Sequence, residues 1–499
     1  MMRSEINRLL AFDFGASNGR AVVGTIDKQE LSIEEIHRFP NEPVFLNDNL
    51  YWNFGSLYNE LLQGLKVYRK NFGPRVDSVG VDTWGVDFGL LDRRGNLVAL
   101  PFHHRDDRIG GTDALIEEKL GSWYLYQRNG IQFLLINTIN QFLALVRDDD
   151  PTLNITERFL FMGDLFNYFL TGNKVAEYTL ATISQLYNTV DKQWDEQVFE
   201  KVEIPFTIAP PVIDAGTSVG TIKQEITDQA GLERTEVIAP AIHDTASAAV
   251  AVPAEREGGD WAFLSSGTWS ILGFELDAPV IDRASYEMNV SNSGGVLGKT
   301  LYLKNVMGLW IIQSCKRQWD EDSGNLQYED IVVLAKKTKD LDIYIDPDDA
   351  RFLNPKDMLA EIMTACREQG YADLKRNDIG AISKIVYQSL ALKYRYTLEK
   401  LVYANKRSVD TLYIVGGGCK NELLNQYTAN ALGVRVITGP VEATAIGNLS
   451  MQAVGKGHLK TLDQIRSMIR DSFTLDSYQP ENRDQWEEKY RQFKKNLGL

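Results

Sequence analysis

Cysteine is scarce: Cys315, Cys366 and Cys419 are the only three in 499 residues, and they are far apart. That excludes a disulfide framework and a cysteine-based metal site, and the three read as free thiols of a reducing compartment. Only five histidines occur, and neither a second histidine nor a cysteine lies at ligand spacing from His243, so a zinc reading fails as well. No long hydrophobic run is present. The longest mostly apolar stretch, near 131–146, is interrupted by Asn137, Asn140 and Gln141, and the opening Met-Met-Arg-Ser-Glu-Ile-Asn-Arg has no apolar core. The sequence therefore reads as soluble and cytoplasmic. Positive charge is also short: 53 basic against 68 acidic residues gives −15. Such a chain repels phosphate backbones and anionic lipid, so neither nucleic acid nor a membrane is an expected partner. A polyphosphate ligand would have to be gripped locally, by backbone N–H groups, hydroxyls and a bridging divalent cation.

What is present suits a large globular enzyme. At 44% hydrophobic and 24% charged, with no bias in its 15 Pro and 39 Gly, the chain suffices for two or three domains at one per ~150 residues. Arg8 to Gly15 is short, apolar and aromatic, turns through Ala16-Ser-Asn-Gly19, and continues as Arg20 to Ile26, which is strand, tight turn, strand. A third strand is expected over Leu31 to Phe39, giving an antiparallel meander rather than a strand–helix–strand start. Leu57, Leu61, Leu65 and Tyr68 after Ser56 are helically spaced, and Ser78 to Asp92 returns as two strands meeting near Gly85. Val237 to Ile242 reads as a buried strand leading through His243-Asp-Thr245 into a helix of small residues. Beyond Arg256-Glu-Gly-Gly-Asp260, Trp261 to Leu264 turns through Ser265-Ser-Gly-Thr268 into Trp269 to Glu275 and so repeats the opening plan about 250 residues on. Ile382, Val386, Leu390, Tyr394, Leu398 and Leu401 mark a long buried-face helix. A strand at Thr411 to Val415, the triplet Gly416-Gly-Gly418 and a helix through Leu423 to Leu432 then form a ligand-shaped corner. A strand over Val434 to Thr438, a helix over 442–454 and a tail of surface helices complete the chain.

Several clusters carry chemistry. Asp13 followed by Gly15, Ser17, Asn18 and Gly19 suits metal-bound phosphates, with backbone N–H groups approaching the oxygens; the same residues also suit a plain surface turn. Asp244 stands where its carboxylate could accept a proton from a hydroxyl, and Asp before Thr-Ala-Ser is equally a good helix N-cap. The two roles are compatible, since a helix amino terminus favours the ionised carboxylate. His243 reads as a polar contact to substrate or an acid–base group. The glycine triplet leaves room for a flat purine but is also an ordinary strand-to-helix turn. Val81-Asp-Thr-Trp-Gly-Val-Asp-Phe88 mixes carboxylates with aromatic rings as a sugar site requires, or is a strand pair with core aromatics. Arg105, Asp106 and Arg108 read as a surface charge cluster.

The ordered set D-F-G-A-S-N-G-R at 13–20, V-D-T-W-G-V-D-F at 81–88, H-D-T-A-S at 243–247, L-S-S-G-T-W-S at 264–270, K-N-V-M-G-L-W at 304–310 and V-G-G-G-C at 415–419 resembles the FGGY carbohydrate kinases over roughly residues 8–455. The resemblance implies an α/β protein of two RNase H-like domains in the actin-like ATPase fold, with ATP and sugar meeting in the cleft between them. The expected domains are 1–250, binding sugar and phosphate, and 251–460, binding ATP, followed by a helical tail at 461–499. By the same motif match Asp244 is the proton acceptor and Asp13 the Mg²⁺ site. Ala16, Ser17, Asn18, Gly19, Arg20, Thr268, Gln313 and Gly417 are the implied ATP contacts, and Gly85, His243, Asp244, Thr245 and Asn305 the implied sugar contacts. Other branches of the family carry a Lys and Trp pair where this sequence has Asn137-Thr-Ile-Asn-Gln141, which argues against glycerol or xylulose and fits the branch acting on L-rhamnulose. The expected reaction is therefore phosphorylation of that small ketose at O1, with Trp84 and Phe88 as an apolar wall for its methyl group. The alternatives are another ketose such as L-fuculose or L-xylulose, a sugar sensor without catalysis, or an actin-like ATPase that does not act on sugar. Monomer and dimer are both left open.

Overall fold

The computed structural model describes residues 7–255 and 260–499, so residues 256–259 of the expected boundary lie outside the described residues. Contacts divide the chain into two compact units. The first comprises Met1–Ala251, Glu275–Tyr302 and Ala443–Ser472. It is built on a six-stranded sheet of β1 (Asn7–Phe14), β2 (Asn18–Asp27), β3 (Glu30–Pro40), β4 (Ser78–Thr83), β5 (Ser218–Thr221) and β6 (Glu236–Ile238), in the order β5–β6–β4–β1–β2–β3. Strand β1 is central: Leu9 to Phe14 are all buried, as a run apolar but for Asp13 demands, with β2 antiparallel on one edge and β4 parallel on the other. Helix α1 (Phe54–Phe72) begins at Asn53, whose side chain accepts from the Ser56 N–H at 3.2 Å, and buries Leu57, Leu61, Leu65 and Tyr68 on one stripe. Gly64 on that stripe lets the Phe12 ring lie against the helix, because a Cβ there would stand 2.4 Å from it. Helix α2 (Thr138–Arg147) and the short α3 (Asp244–Val250), the expected small-residue helix, complete the parts that frame the site.

The second unit comprises Val252–Phe274, Leu303–Glu442 and Phe473–Leu499. A second sheet contains β7 (Trp261–Ser266), β8 (Trp269–Leu276), β9 (Ser291–Gly294), β10 (Thr300–Met307), β11 (Thr411–Val415), β12 (Arg435–Thr438) and β13 (Asp476–Tyr478), ordered β9–β10–β8–β7–β11–β12–β13. Its strands β7, β11, β12 and β13 belong to the second unit. As β1 does with β2 and β4, β7 pairs antiparallel with β8 and parallel with β11. The repeated strand–turn–strand plan is thus a repeated topology. Helix α4 (Trp310–Ser323) follows β10, and α5 (Ile379–Asn405) is the long helix, buried on most of its circumference over 382–394. Helix α6 (Glu422–Leu432) follows the glycine triplet. Cys315, Cys366 and Cys419 are free and buried, and no helix among the described residues is long and apolar enough to cross a membrane.

The expected contiguous domains require correction. Helices α7 (Ala443–Gly455) and α8 (Leu462–Ser472) fold with the first unit, not with 251–460 or with a detached tail. The reason is a set of glycines in the first sheet. A Cβ at Gly80 would meet Asn448 Oδ1 at 2.5 Å, and one at Gly24 would meet Leu449 at 2.8 Å, so both glycines admit α7 side chains against the strands. Gln452 Nε2 donates to the Leu10 carbonyl at 3.1 Å, and Gln452 Oε1 accepts from the Ser78 hydroxyl at 2.8 Å. Arg466 of α8 makes a two-pronged pair with Glu275 at 3.2 and 2.7 Å. The rest of the tail is no surface helix either: α9 (Arg483–Leu497) belongs to the second unit and buries Trp486, Tyr490 and Phe493.

Helices α3 and α7 touch at Gly447, where a Cβ would stand 1.8 Å from the Ser247 carbonyl oxygen. Backbone cannot yield as a side chain can, so Gly447→Ala is expected to cost about 1–3 kcal/mol, read as a lowered denaturant midpoint. An unchanged midpoint would show that the two helices part without cost.

Candidate functional site

In the first unit, three parallel segments end together. The Trp84 N–H donates to the Phe14 carbonyl at 3.2 Å and the Thr83 N–H to the Ile242 carbonyl at 2.8 Å, bringing the ends of β1 and β4 beside the segment that follows β6. Ligands of open α/β sheets sit at this carboxyl edge. Asp13 lies opposite Asp82 in the parallel register and opposite Arg20 in the antiparallel one. Arg20 Nε and Nη2 donate to Asp13 Oδ2 at 2.9 and 2.7 Å, so the guanidinium expected to face phosphates is held by the carboxylate expected to hold metal. The turn between β1 and β2 is closed by the Gly15 N–H donating to the Asn18 carbonyl at 2.9 Å and braced by Asn41, which donates to the Gly15 and Ser17 carbonyls. Ala16, Ser17 and Asn18 are exposed at its tip. Gly19 is buried, and a Cβ there would stand 2.3 Å from the Phe39 ring.

Asp244 is the first residue of α3, and the cap position belongs to His243, so the N-cap reading is off by one. The Asp244 side chain is 37% exposed, which leaves it facing an opening. Its Oδ1 accepts from the Thr245 N–H at 2.5 Å and the Thr245 hydroxyl at 3.1 Å. Surrounding protein raises its pKa, with His243 and Thr245 opposing and the Asp13 charge adding to the rise. His243 Nε2 lies 3.6 Å from Asp244 Oδ1. Burial lowers its pKa against the pull of Asp244, and its Nδ1 is buried without a partner among the described residues. Gly85 abuts the ring: a Cβ there would stand 3.2 Å from His243 Nε2 and 2.4 Å from Ile183. Gly85, His243, Asp244, Thr245, Asp13 and the 15–20 turn thus all belong to one unit and gather at one edge of its sheet.

Residues that sequence reasoning passed over support this edge. Asp82 is fully buried; burial, then the Asp13 charge, push it well above the usual carboxylate range, while Asn448 of α7 donates to its Oδ2 at 2.5 Å. Glu177 and Thr179 hold the segment that carries Asp244. Glu177 Oε2 accepts from the Thr179 hydroxyl at 2.5 Å and the Ile242 N–H at 3.1 Å, and Thr179 Oγ1 accepts from the His243 N–H at 3.1 Å. Burial raises Glu177 to about 7 against these hydrogen bonds. Nothing in the spacing of Glu177-Tyr-Thr179 announces this role.

Asp87 is a buried hub. Its Oδ2 receives Trp52 Nε1 at 2.7 Å, Trp84 Nε1 at 2.8 Å and His104 Nδ1 at 2.7 Å, and its Oδ1 receives Gln141 Nε2 at 2.8 Å. Burial works to raise its pKa, but the charge and hydrogen bond of His104, with the hydrogen bonds of Gln141 and Trp52, outweigh it and leave it lowered. Between Gly85 and this hub, Val86 has φ +69, a strained conformation for a β-branched residue. Helix α2 braces it there through Thr138 Oγ1, which donates to the Val86 carbonyl at 2.7 Å. The region of Asn137 to Gln141 is therefore a buttress of Gly85-Val-Asp87. Two expectations fail here. Trp84 and Phe88 are 5% and 6% exposed, and Phe88 stacks on Phe142 at 4.2 Å, so neither ring offers an open wall. Of the expected surface cluster only Arg105 is exposed: Asp106 is buried and Arg108 half-buried, its guanidinium 3.9 Å from the Phe102 ring centre.

In the second unit, β7 and β8 are joined by Gly267 and Thr268, and the Gly267 and Thr268 carbonyls accept from the N–H groups of Leu309 and Trp310 at 2.9 and 3.1 Å. The Thr268 hydroxyl reaches Gln313 Oε1 of α4 at 3.3 Å. The glycine triplet packs on the adjacent strand end: a Cβ at Gly418 would stand 2.0 Å from Ser266 Oγ, and Gly416 has φ +87 with the Ser266 carbonyl 3.0 Å from such a Cβ. Gly417 alone has open space above it. Thr268, Gln313 and Gly417 thus share one corner with a flat, uncluttered floor. Asn305 is half-buried on β10, in the second unit. Among the described residues no group of three or more His, Cys, Asp or Glu side chains is gathered so as to hold a metal ion.

Comparison with known proteins agrees with this reading of the fold. Curated relatives called rhamnulokinase include one from Bacteroides thetaiotaomicron, 37% identical over 97% of this chain and 98% of its own, and one from Klebsiella pneumoniae, 38% identical over 95% of each. Another, from Bacillus subtilis, is 35% identical over 95% of this chain and 96% of its own. Among solved structures, gluconate kinase from Lactobacillus acidophilus superposes with a TM-score of 0.81 at 13% identity, covering 99% of this chain and 97% of its own. Plasmodium falciparum glycerol kinase with ADP gives 0.77 at 15% identity, covering 99% and 98%. These place the chain in the two-domain actin-like ATPase fold. The model of the N-terminal domain of the FGGY family of carbohydrate kinases matches residues 8–251 and that of the C-terminal domain residues 262–455. With nearly the whole chain accounted for by those two domains, it belongs to the FGGY family of carbohydrate kinases.

Proposed function

We propose that this kinase, acting in the cytoplasm, transfers the γ-phosphoryl group of ATP to O1 of L-rhamnulose, giving L-rhamnulose 1-phosphate and ADP. The supporting observation is the match, at 35–38% identity over nearly its full length, to relatives named rhamnulokinase. Asp244, open to one side and raised in pKa, aligns the O1 hydroxyl and takes its proton as the new O–P bond forms and the bond to the β-phosphate breaks. His243, its pKa lowered by burial and its Nδ1 without a partner among the described residues, contacts a sugar hydroxyl, and Gly85, whose bare backbone leaves room for that ring and for Ile183, is a further sugar contact. Thr245 steadies the Asp244 carboxylate, and Asn305 is a further sugar contact. The exposed tip Ala16 to Asn18, together with Gly19 and Arg20, faces the phosphates, and Thr268, Gln313 and Gly417 meet the nucleotide. The Asp13 carboxylate, a hard oxygen donor, would hold Mg²⁺. When bound, that ion neutralises charge on the phosphate oxygens.

The test is ADP release from ATP across L-rhamnulose, L-fuculose and L-xylulose. L-Rhamnulose is expected to give the highest kcat/KM, by about 10–200-fold over L-xylulose, which lacks a methyl group worth about 1–3 kcal/mol, and above L-fuculose, which keeps the methyl and differs in the configuration of one hydroxyl. Chelation of Mg²⁺ should abolish the signal. A higher kcat/KM for either of the other two would transfer the assignment to that ketose.

A further inference from the structure

Away from the edge that carries Asp244, the first unit contains a cavity of about 740 Å³. That is within the range of small-molecule sites, and the cavity shares no lining residue with the proposed catalytic group. One wall is aromatic: Tyr178 meets Tyr187 edge-on at 5.9 Å between ring centres, and Tyr187 meets Trp194 edge-on at 5.5 Å. Lys192 and Asp214 lie on its rim, both exposed, and neither side chain has an ion-pair or hydrogen-bond partner among the described residues. Burial, then the Asp214 charge, raise the Tyr178 phenol, so it stays a donor.

This lining selects among ligand classes. An anion would meet the unpaired Asp214 carboxylate in a chain of net charge −15, and a cation would meet Lys192. A neutral ring with hydroxyls on its edge and C–H groups on its face satisfies all of it: the carboxylate accepts from hydroxyls, the ammonium donates to them, and the aromatic rings cover the C–H face.

The cavity is also wired to the base. Tyr178 is the middle residue of Glu177-Tyr-Thr179, whose outer two hold the Ile242 and His243 N–H groups. The cavity residue Val212 and its neighbour Ile213 pair in parallel with Ala176 and Glu177. A ligand that moves Tyr178 therefore moves the clamp on the segment carrying Asp244.

We infer that this cavity is an effector site for a neutral carbohydrate, occupied independently of the substrate and felt at Asp244 through residues 177–179. The inference rests on the reading of Asp244 as the proton acceptor. The test is calorimetric titration of the full chain with methyl α-L-rhamnopyranoside and methyl α-D-glucopyranoside, whose locked rings cannot become ketoses. One of them is expected to bind saturably, with an affinity unchanged in Asp244→Asn and weakened about tenfold or more by Asp214→Asn or Lys192→Ala. Both residues are exposed and make no structural bond, so neither change threatens the fold. The bound glycoside should alter kcat without competing with ketose. Absence of saturable binding by either probe, binding indifferent to both rim substitutions, or binding with unaltered kcat overturns the proposal. Because binding is read without turnover, failure here is separable from failure of the kinase assignment.

Discussion

Asp244→Asn is expected to lower turnover of L-rhamnulose by about 10²–10⁴-fold, the span general-base groups supply, while leaving the melting temperature and ATP affinity near those of the unchanged chain. The amide can accept the Thr245 hydrogen bonds but cannot take the hydroxyl proton. If the carboxylate is the base, the unchanged enzyme should also lose rate on the acid side. Asp244 has a raised pKa and must be ionised to act, so kcat/KM falls as pH drops through that raised value, at higher pH than an unperturbed aspartate would give. A rate within tenfold of normal in Asp244→Asn, or an acid limb at the ordinary carboxylate position, would remove Asp244 from the mechanism.

Asp87→Ala should be the most destabilising single change near the site. It strands the donors of Trp52, Trp84 and His104 at once and takes from Gln141 one of its three acceptors, and loss of one partner from such a charged network costs about 3–5 kcal/mol. Chemical denaturation measures this. The Asn variant, which keeps an acceptor, should recover part of it. The sign with pH is fixed: Asp87 has a depressed folded-state pKa, so its contribution is fully present above the unfolded-state value and is lost as pH falls through the folded one. Equal stability of Asp87→Ala and the parent would show that the stranded donors find other acceptors. Because the Asp87 N–H donates to the Gly85 carbonyl at 3.0 Å, affinity for the ketose should fall as well.

Much of this was legible in the chain. The strand–turn–strand from Arg8 to Ile26 announced itself through an apolar run ending in Asp-Phe-Gly, because a central strand must be apolar on both faces and its exit must be small. The placement of Asp244 was legible for the same kind of reason, as a carboxylate at the start of a small-residue helix. What was not legible depends on partners distant in sequence. Glu177 looks like any surface glutamate until Ile242 is seen beside it, and Phe88 looks like a ligand wall until Phe142 stacks on it. The contiguous domain boundaries failed for that reason too, since only the bare backbone at Gly24 and Gly80 reveals that α7 belongs against β2 and β4.

The same placement of α7 bears on how the protein is made. Gln452 and Asn448 satisfy polar groups of Leu10, Ser78 and Asp82, laid down hundreds of codons before them. On the ribosome, the nascent first half must wait with that face uncovered until the stretch to Ser472 has emerged. A polypeptide terminated after Ala251 would leave it bare, making such fragments poor candidates for expression and ready clients for chaperones.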